Sequence, residues 1–318
     1  MTPRVLDQPS GVVVGIDVGG TKCAAGLVRF PDGCVLARRL QPTQPDRGGA
    51  AVLADVGELA RSLIAQSPEF GVEATAVGLA VAELVGIDGQ VLSDATIGWK
   101  GVDVEAEIGA LTGLPARVDA DVRAAACAEA RLGAGRPYRT FLYITVGTGI
   151  SGCLVIDGVP YAGARGLTGT FASARGLIPA DADRLASGPP LEQFAAGPSL
   201  AKRLAAIQPQ FTGTACHVLA LAEAGDPQAA AIVSSAGEAL GAAIGQLVNT
   251  LDPEAVILGG GLGLTHGSYH RAVDLAMRQC IWSDLHRDLP LESAGLGDDS
   301  GLIGAALAPA LPAASGLR

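Results

Sequence analysis

Residues 15–22 read GIDVGGTK, directly behind the apolar run Val12-Val13-Val14. Two adjacent glycines let backbone N–H groups come close to an anion, and successive N–H groups in a tight turn form an anion-binding concavity. One reading of the stretch is a phosphate site. The other is a plain hairpin turn, because the chain holds 44 glycines in 318 residues and glycine pairs arise by composition alone. A Walker-type loop is excluded. That motif needs G-x-x-x-x-G-K-[ST] opening a helix, whereas Thr21 here precedes Lys22 and residues 23–29 read as a short apolar strand. The glycines thus join two strands, and no βαβ unit follows to make a dinucleotide fingerprint.

The surrounding pattern extends this start. Three strands are expected in series at 12–17, 23–30 and 33–40, then a helix over 49–66, where Val52, Leu53, Val56, Leu59, Leu63 and Ile64 recur at helical spacing. A buried strand at 75–81 and a helix at 103–112 follow, ended by Gly113-Leu114-Pro115 before a short strand at 117–118. The second half starts over: a helix at 122–133, a strand at 141–146, Gly147-Thr148-Gly149, a strand at 150–156 and a turn at Asp157-Gly158. That is the layout of 12–33 repeated, which implies two related α/β halves and not a solenoid of short units. Helices are then expected at 191–205, 214–224 and 226–250, the last with Asp226 as N-cap and Pro227 at its first position. A strand at 255–258 runs into Gly259-Gly260-Gly261, ahead of helices near 268–280 and from about 300. The domains are expected at 11–118 and 119–300, with a closing helix at about 301–312 packing back on the first.

Composition narrows the class. With 49% hydrophobic and 17% charged residues, the chain has the make-up of a well-packed globular protein. The net charge of −10, with only three lysines and none clustered, argues against nucleic acid as a partner. Cys23, Cys34, Cys127, Cys153, Cys216 and Cys280 form no C-x-x-C pair and read as small hydrophobes in a reducing cytoplasm. The N-terminal MTPRVLDQPS lacks the pattern of a signal peptide, and the apolar tail LIGAALAPALPAASGL is too short and proline-broken to span a bilayer. A cytoplasmic protein without membrane contact is expected.

Strand plus glycine turn occurs three times in order: GIDVGGTK, TVGTGISG and ILGGGLG. The first two can grip phosphates, and the third can let a flat adenosine lie against bare backbone. The set DVGGTK, VDADVRAAACAEA, YITVGTGISGCLVIDG, NTLDPEAVILGGGLG and LGDDSGLIGAA resembles the ROK family, sugar kinases and sugar-responsive repressors of the actin-like ATPase superfamily. The resemblance covers roughly residues 11–310. It implies an α/β, ribonuclease H-like fold of two domains around a central cleft, ATP as cofactor, and a homodimer. Repressor members carry a DNA-binding domain ahead of the first glycine turn, and only 16 residues precede Asp17 here, so a repressor is not expected.

Under this resemblance Gly19, Gly20, Thr21 and Lys22 take one side of the triphosphate, Gly147, Thr148 and Gly149 the other, and Gly260 with Gly261 the adenosine. Lys22 also reads as a surface residue on the outgoing strand. Asp17 cannot face a phosphate directly and is expected to hold Mg2+ through water. Asp121 matches the catalytic aspartate of the family's E-N-D-A-N-A-A pattern, and would also serve as a helix N-cap.

The departures fall on the sugar side. The family's E-x-G-H segment reads Thr170-Phe171-Ala172-Ser173, the asparagine before the catalytic aspartate is Ala120, and another asparagine is Thr96. The cysteine-rich zinc loop is replaced by RGLIPADADRLASGPPLEQ at 175–193, which keeps only the closing Glu192, so no zinc is expected. Glu83 stands where the family places a glycine against the sugar. These residues (Glu83, Thr96, Ala120, Asp121, Thr170, Ser173 and Glu192) are the expected substrate contacts. The expected reaction is phosphorylation of a primary, exocyclic hydroxyl on a C7 cyclitol or modified hexose. Alternatives are a glucokinase or amino-sugar kinase with a rebuilt pocket, and an inactive sugar-binding regulator.

Overall fold

The computed structural model describes residues 10–181 and 184–310. The expectations for residues 1–9, for positions 182–183 of the zinc-loop counterpart and for the tail of the last helix at 311–312 lie outside the described residues. In chain order the elements are β1 (Gly11–Val18), β2 (Lys22–Phe30), β3 (Cys34–Pro42), α1 (Gly49–Gln66), β4 (Ala74–Val81), α2 (Val104–Thr112), β5 (Ala116–Ala120), α3 (Asp121–Leu132), β6 (Thr140–Val146), β7 (Ile150–Ile156) and β8 (Val159–Pro160). They continue with β9 (Arg175–Asp181), β10 (Arg184–Pro190), α4 (Glu192–Ala195), α5 (Gly197–Ile207), α6 (Ala215–Glu223), α7 (Pro227–Leu251), β11 (Ala255–Gly259), α8 (Gly260–Gly263), α9 (Ser268–Cys280), α10 (Asp284–Arg287), β12 (Leu291–Ser293) and α11 (Ser300–Leu307).

Two compact units result. One comprises residues up to Arg139, Cys153–Thr168 and Ala294 onward; the other comprises Thr140–Gly152 and Gly169–Ser293. The boundary read from the sequence, 118/119, falls inside the first unit, because α3 packs against α11 on the same face of the first sheet.

The two five-stranded sheets repeat one plan. The first runs β3-β2-β1-β4-β5 and the second, read from its other edge, β8-β7-β6-β11-β12. In each, a run of neighbouring strands is extended by two later strands that pair in parallel: β4 and β5 beside β1, β11 and β12 beside β6. The duplication read from the glycine turns is thus present in the strand order itself.

Alternation along β1 sorts its residues between two covers. Val12, Val14, Ile16 and Val18 face α1, whose Val52, Val56, Leu59 and Leu63 fill that core. Val13 faces the opposite way, with Val28 and Phe30, against Cys127 of α3 and Leu302, Ile303 and Leu307 of α11. The α11 contact is close enough that a methyl on Gly15 or Gly78 would strike the backbone carbonyls of Leu302 or Ala305, so side chains are excluded there.

In the second unit, α7 carries Gly237, Gly241 and Gly245 at four-residue spacing. Methyls there would meet the carbonyls of Tyr269, Val273 and Met277 on α9. This stripe lets two backbones touch. By length and composition α7 is apolar enough to cross a membrane, but half of that apolar window is buried, and Val233, Leu240, Ile244 and Val248 lie fully inside the second core. Gly241→Ala is expected to destabilise the protein by about 1–3 kcal/mol, the usual cost of overpacking, read as a lowered midpoint in urea.

Candidate active site

The parallel strands β1, β4 and β5 end along one edge of the first sheet, the edge where open α/β sheets place ligands. Asp17 lies level with Ala80, and Ala80 with Asp119, so Asp17, Glu83 and Asp121 gather beside the glycine turn. That turn is closed by the Gly19 amide donating to the Lys22 carbonyl at 3.0 Å. Lys22 is exposed at the start of β2 and draws the Asp17 carboxyl downward. The opposing influences are stronger. Burial, then the Asp121 charge, push Asp17 up to about 7. Gly301 at the start of α11 lies against the Asp17 carboxylate, where any Cβ would collide with it.

Asp121 is the first residue of α3, and its Oδ1 accepts the Val122 amide at 2.6 Å. The N-cap position is held by Ala120, which has no capping side chain. The reading of Asp121 as cap is corrected accordingly: the carboxylate stands inside the first turn. Burial raises it to about 6, against the pull of the Val122 hydrogen bond and of Arg123. Two partly buried carboxylates, each held above its ordinary range and one raising the other, are a donor set suited to a divalent cation. Among the described residues no three potential ligands cluster. A cation here would be held by Asp17 largely through water, as Mg2+ commonly is.

Glu83 has a different place from the one the sequence suggested. It is 6% exposed, and its carboxylate accepts the Ser93 hydroxyl and the amides of Ala95 (3.0 Å), Thr96 (2.7 Å) and Ile97 (2.7 Å). Burial works to raise its pKa, but these four donors together hold it below the usual range. A carboxylate so fully engaged braces its own loop instead of meeting a substrate. The loop in turn sets Thr96 on the glycine turn, its methyl 2.8 Å from where a Gly20 Cβ would lie.

Sequence reasoning missed Arg123. This buried guanidinium bonds Asp119 (2.7 Å), the Gly166 carbonyl (2.7 Å) and the Val85 carbonyl (2.8 Å), fixing two loops beside Asp121. The available signal was faint: an arginine in the first turn of α3, four residues after Asp119 at the end of β5. Ala120 itself is buried and offers no polar atom from its side chain.

The second unit gathers the other candidates at the matching edge of its own sheet. β6 and β11 are parallel, with Gly259 level with Thr145, so the turns 147–149 and 260–261 are neighbours. Gly260 adopts φ +76°, with its Cβ position filled by the Val146 carbonyl at 2.6 Å; methyls on Gly147 or Gly261 would meet nothing within 4 Å. Bare backbone thus faces open space at both turns, as phosphates or a flat base require. Thr148 is exposed at the tip. The N-terminus of α5 docks on the first of these turns, the Gly197 amide donating to the Gly147 carbonyl at 2.9 Å. Glu192 opens α4 with its amide bonded to Ala172 (3.1 Å), inside the turn where the Ser173 amide meets the Thr170 carbonyl (3.1 Å). Its carboxylate lies 3.2 Å from where a Gly149 Cβ would be. Thr170, Ser173, Glu192 and Gly149 are therefore one cluster, with Thr170 and Ser173 exposed.

A duplicated α/β plan with glycine turns at the carboxyl ends of parallel strands defines the class, and the fold is that of the actin-like ATPases. Over 95% of this chain and 100% of the other, with TM-score 0.82 and 27% identity, it resembles a ROK family glucokinase from Streptomyces griseus solved with glucose and AMPPNP. The family model described as ROK family matches residues 13–310, and the chain belongs to that family. It is 30% identical to the bifunctional enzyme NanE/NanK of Brucella melitensis over 94% of this chain and 54% of that enzyme, so it spans about half the length of that relative. It is also 30% identical to the N-acetylmannosamine kinase of Yersinia pseudotuberculosis, over 93% of this chain and 98% of the relative.

Proposed function

We propose that this protein is an ATP- and Mg2+-dependent kinase transferring the γ-phosphoryl group to a primary hydroxyl of a sugar-like ring. The observation that carries the reading is the placement of Asp121 directly after β5, at the strand ends where Asp17 also lies, with burial raising both carboxyls. Phosphoryl transfer passes through a loose transition state, so positioning and charge neutralisation do most of the work. Asp121 accepts the acceptor's hydroxyl proton as the new O–P bond forms and the bond to the leaving ADP breaks. Mg2+, when bound, neutralises charge on the phosphates, and Asp17 would hold it through water. In the first unit Gly19, Gly20 and Thr21 offer backbone to phosphate; in the second, Gly147, Thr148 and Gly149 offer it to phosphate and Gly260 with Gly261 to adenosine.

The acceptor is a C7 cyclitol or modified hexose, because polar groups that would read ring hydroxyls are thinned out. Ala120 offers none, the Glu83 carboxylate is spent on its own loop, and Thr170 and Ser173 stand where the family carries Glu and His. A site built on such hydrogen bonds discriminates through them, so their loss changes the preferred ring. Ordinary hexose or amino-sugar phosphorylation is the second reading, supported by the glucokinase and N-acetylmannosamine kinase relatives. ADP release measured with glucose, N-acetylmannosamine and C7 cyclitols separates the two: turnover highest on a hexose or amino sugar refutes the cyclitol. No turnover on any, with binding retained, favours a regulator.

Since the base must be ionised, kcat/KM is expected to fall about tenfold per pH unit below about 6, the value to which burial raises Asp121. Magnesium at Asp17 moves this limb lower, never higher. A profile flat to pH 4.5 would remove Asp121 from the role.

A further inference from the structure

Thr43, one residue beyond β3, is 2% exposed and takes no part in any strand. Its hydroxyl donates to the Gly19 carbonyl at 2.7 Å, and its amide donates to the Thr21 carbonyl at 3.1 Å. The Lys22 carbonyl is already engaged by the Gly19 amide. Three carbonyls of the glycine turn are therefore occupied by internal donors. The amides of Gly20 and Thr21 have no partner among the described residues.

This asymmetry matters for an anion. A turn of two glycines can flip a peptide plane at little steric cost, and each flip exchanges an outward N–H for an outward carbonyl. An outward carbonyl repels phosphate, whereas an outward N–H binds it. We infer that Thr43 is a positioning residue for the nucleotide: it holds the Gly19 and Thr21 carbonyls, so that the Gly20 amide, which shares a peptide plane with the Gly19 carbonyl, stays turned to phosphate. Thr43 itself touches no ligand. It acts through the turn it holds.

The inference rests on the nucleotide reading above, and the experiment keeps the two apart. ATP, ADP and adenosine are titrated by calorimetry with Mg2+ into the wild type, Thr43→Val and Thr43→Ser. Thr43→Val keeps the shape and the backbone amide but removes the hydroxyl. It is expected to weaken ATP and ADP about tenfold, the scale of one lost buried hydrogen bond, while leaving adenosine affinity, the acceptor KM and kcat within about twofold. Thr43→Ser restores the wild-type values. A general loss of stability would not spare adenosine or be rescued by serine. Should the valine variant not fold, Thr43→Ala replaces it with the same expectation. ATP affinity within twofold of wild type in the folded variant overturns the role of Thr43 alone, whereas a wild type that binds no ATP overturns the nucleotide reading.

Discussion

Asp121→Ala lowers kcat by about 10²–10⁴-fold, the range for a lost general base, and leaves ATP binding intact. The separation follows from the position of this carboxylate. It stands at the first turn of α3, and among the described residues it bonds its own neighbour Val122 and not the Gly19–Thr21 turn. Removing it leaves the amides of that turn untouched. Stability should change little, because the lost hydrogen bond is offset by relief of a carboxylate that burial holds above its ordinary range. Asp121→Asn keeps an acceptor for the Val122 amide and cannot take a proton, so it should lose as much activity as alanine. Activity within a few-fold of wild type in either folded variant refutes the role.

Asp17→Asn is the second large effect, and it runs in opposite directions for activity and stability. Its folded pKa, about 7, lies above the ordinary aspartate value of 3.8 that holds in the unfolded chain. A group shifted this way supports the fold only while protonated. That support is complete below about 3.8 and is lost as pH rises through about 7. At pH 8 the ionised carboxylate therefore weakens the fold. Three pKa units set a ceiling of about 4 kcal/mol, and partial exposure cuts this to roughly 1–3 kcal/mol. The asparagine variant should melt higher than wild type at pH 8, with the gap closing toward pH 4. Its turnover should fall on the order of 10²-fold or more as electrostatic support for the phosphates is lost. Added Mg2+ should raise the melting temperature of the wild type and not of the variant. A variant that melts lower at pH 8, or that still responds to Mg2+, contradicts the assignment.

Much of the architecture was legible because its signals are local. The alternation of β1 and β2, the glycine turn between them, and the recurrence of both near residue 147 disclosed two α/β halves, and the strand order repeats as that implied. The helix expected at 191–205 is broken after Ala195, because Gly197-Pro198 starts a new helix there. The three residues of β12 and the hairpin of β9 with β10 carried too little periodicity to be seen. In the site, positions were easier than roles. Glu83 reads as a substrate contact in sequence, and only folding brings amides from 12 to 14 residues away onto it. Arg123 likewise takes its meaning from Val85 and Gly166, 38 and 43 residues distant.

The cover that α11 provides for β1 and β2 has a consequence during synthesis. Val13, Val28 and Phe30 emerge from the ribosome long before α11, the helix that shields them. At about 5–20 residues per second, that greasy surface stays bare for roughly 15–50 s on each nascent chain. Chaperone occupancy should accordingly concentrate on partly made polypeptides and vanish once residue 307 clears the exit tunnel.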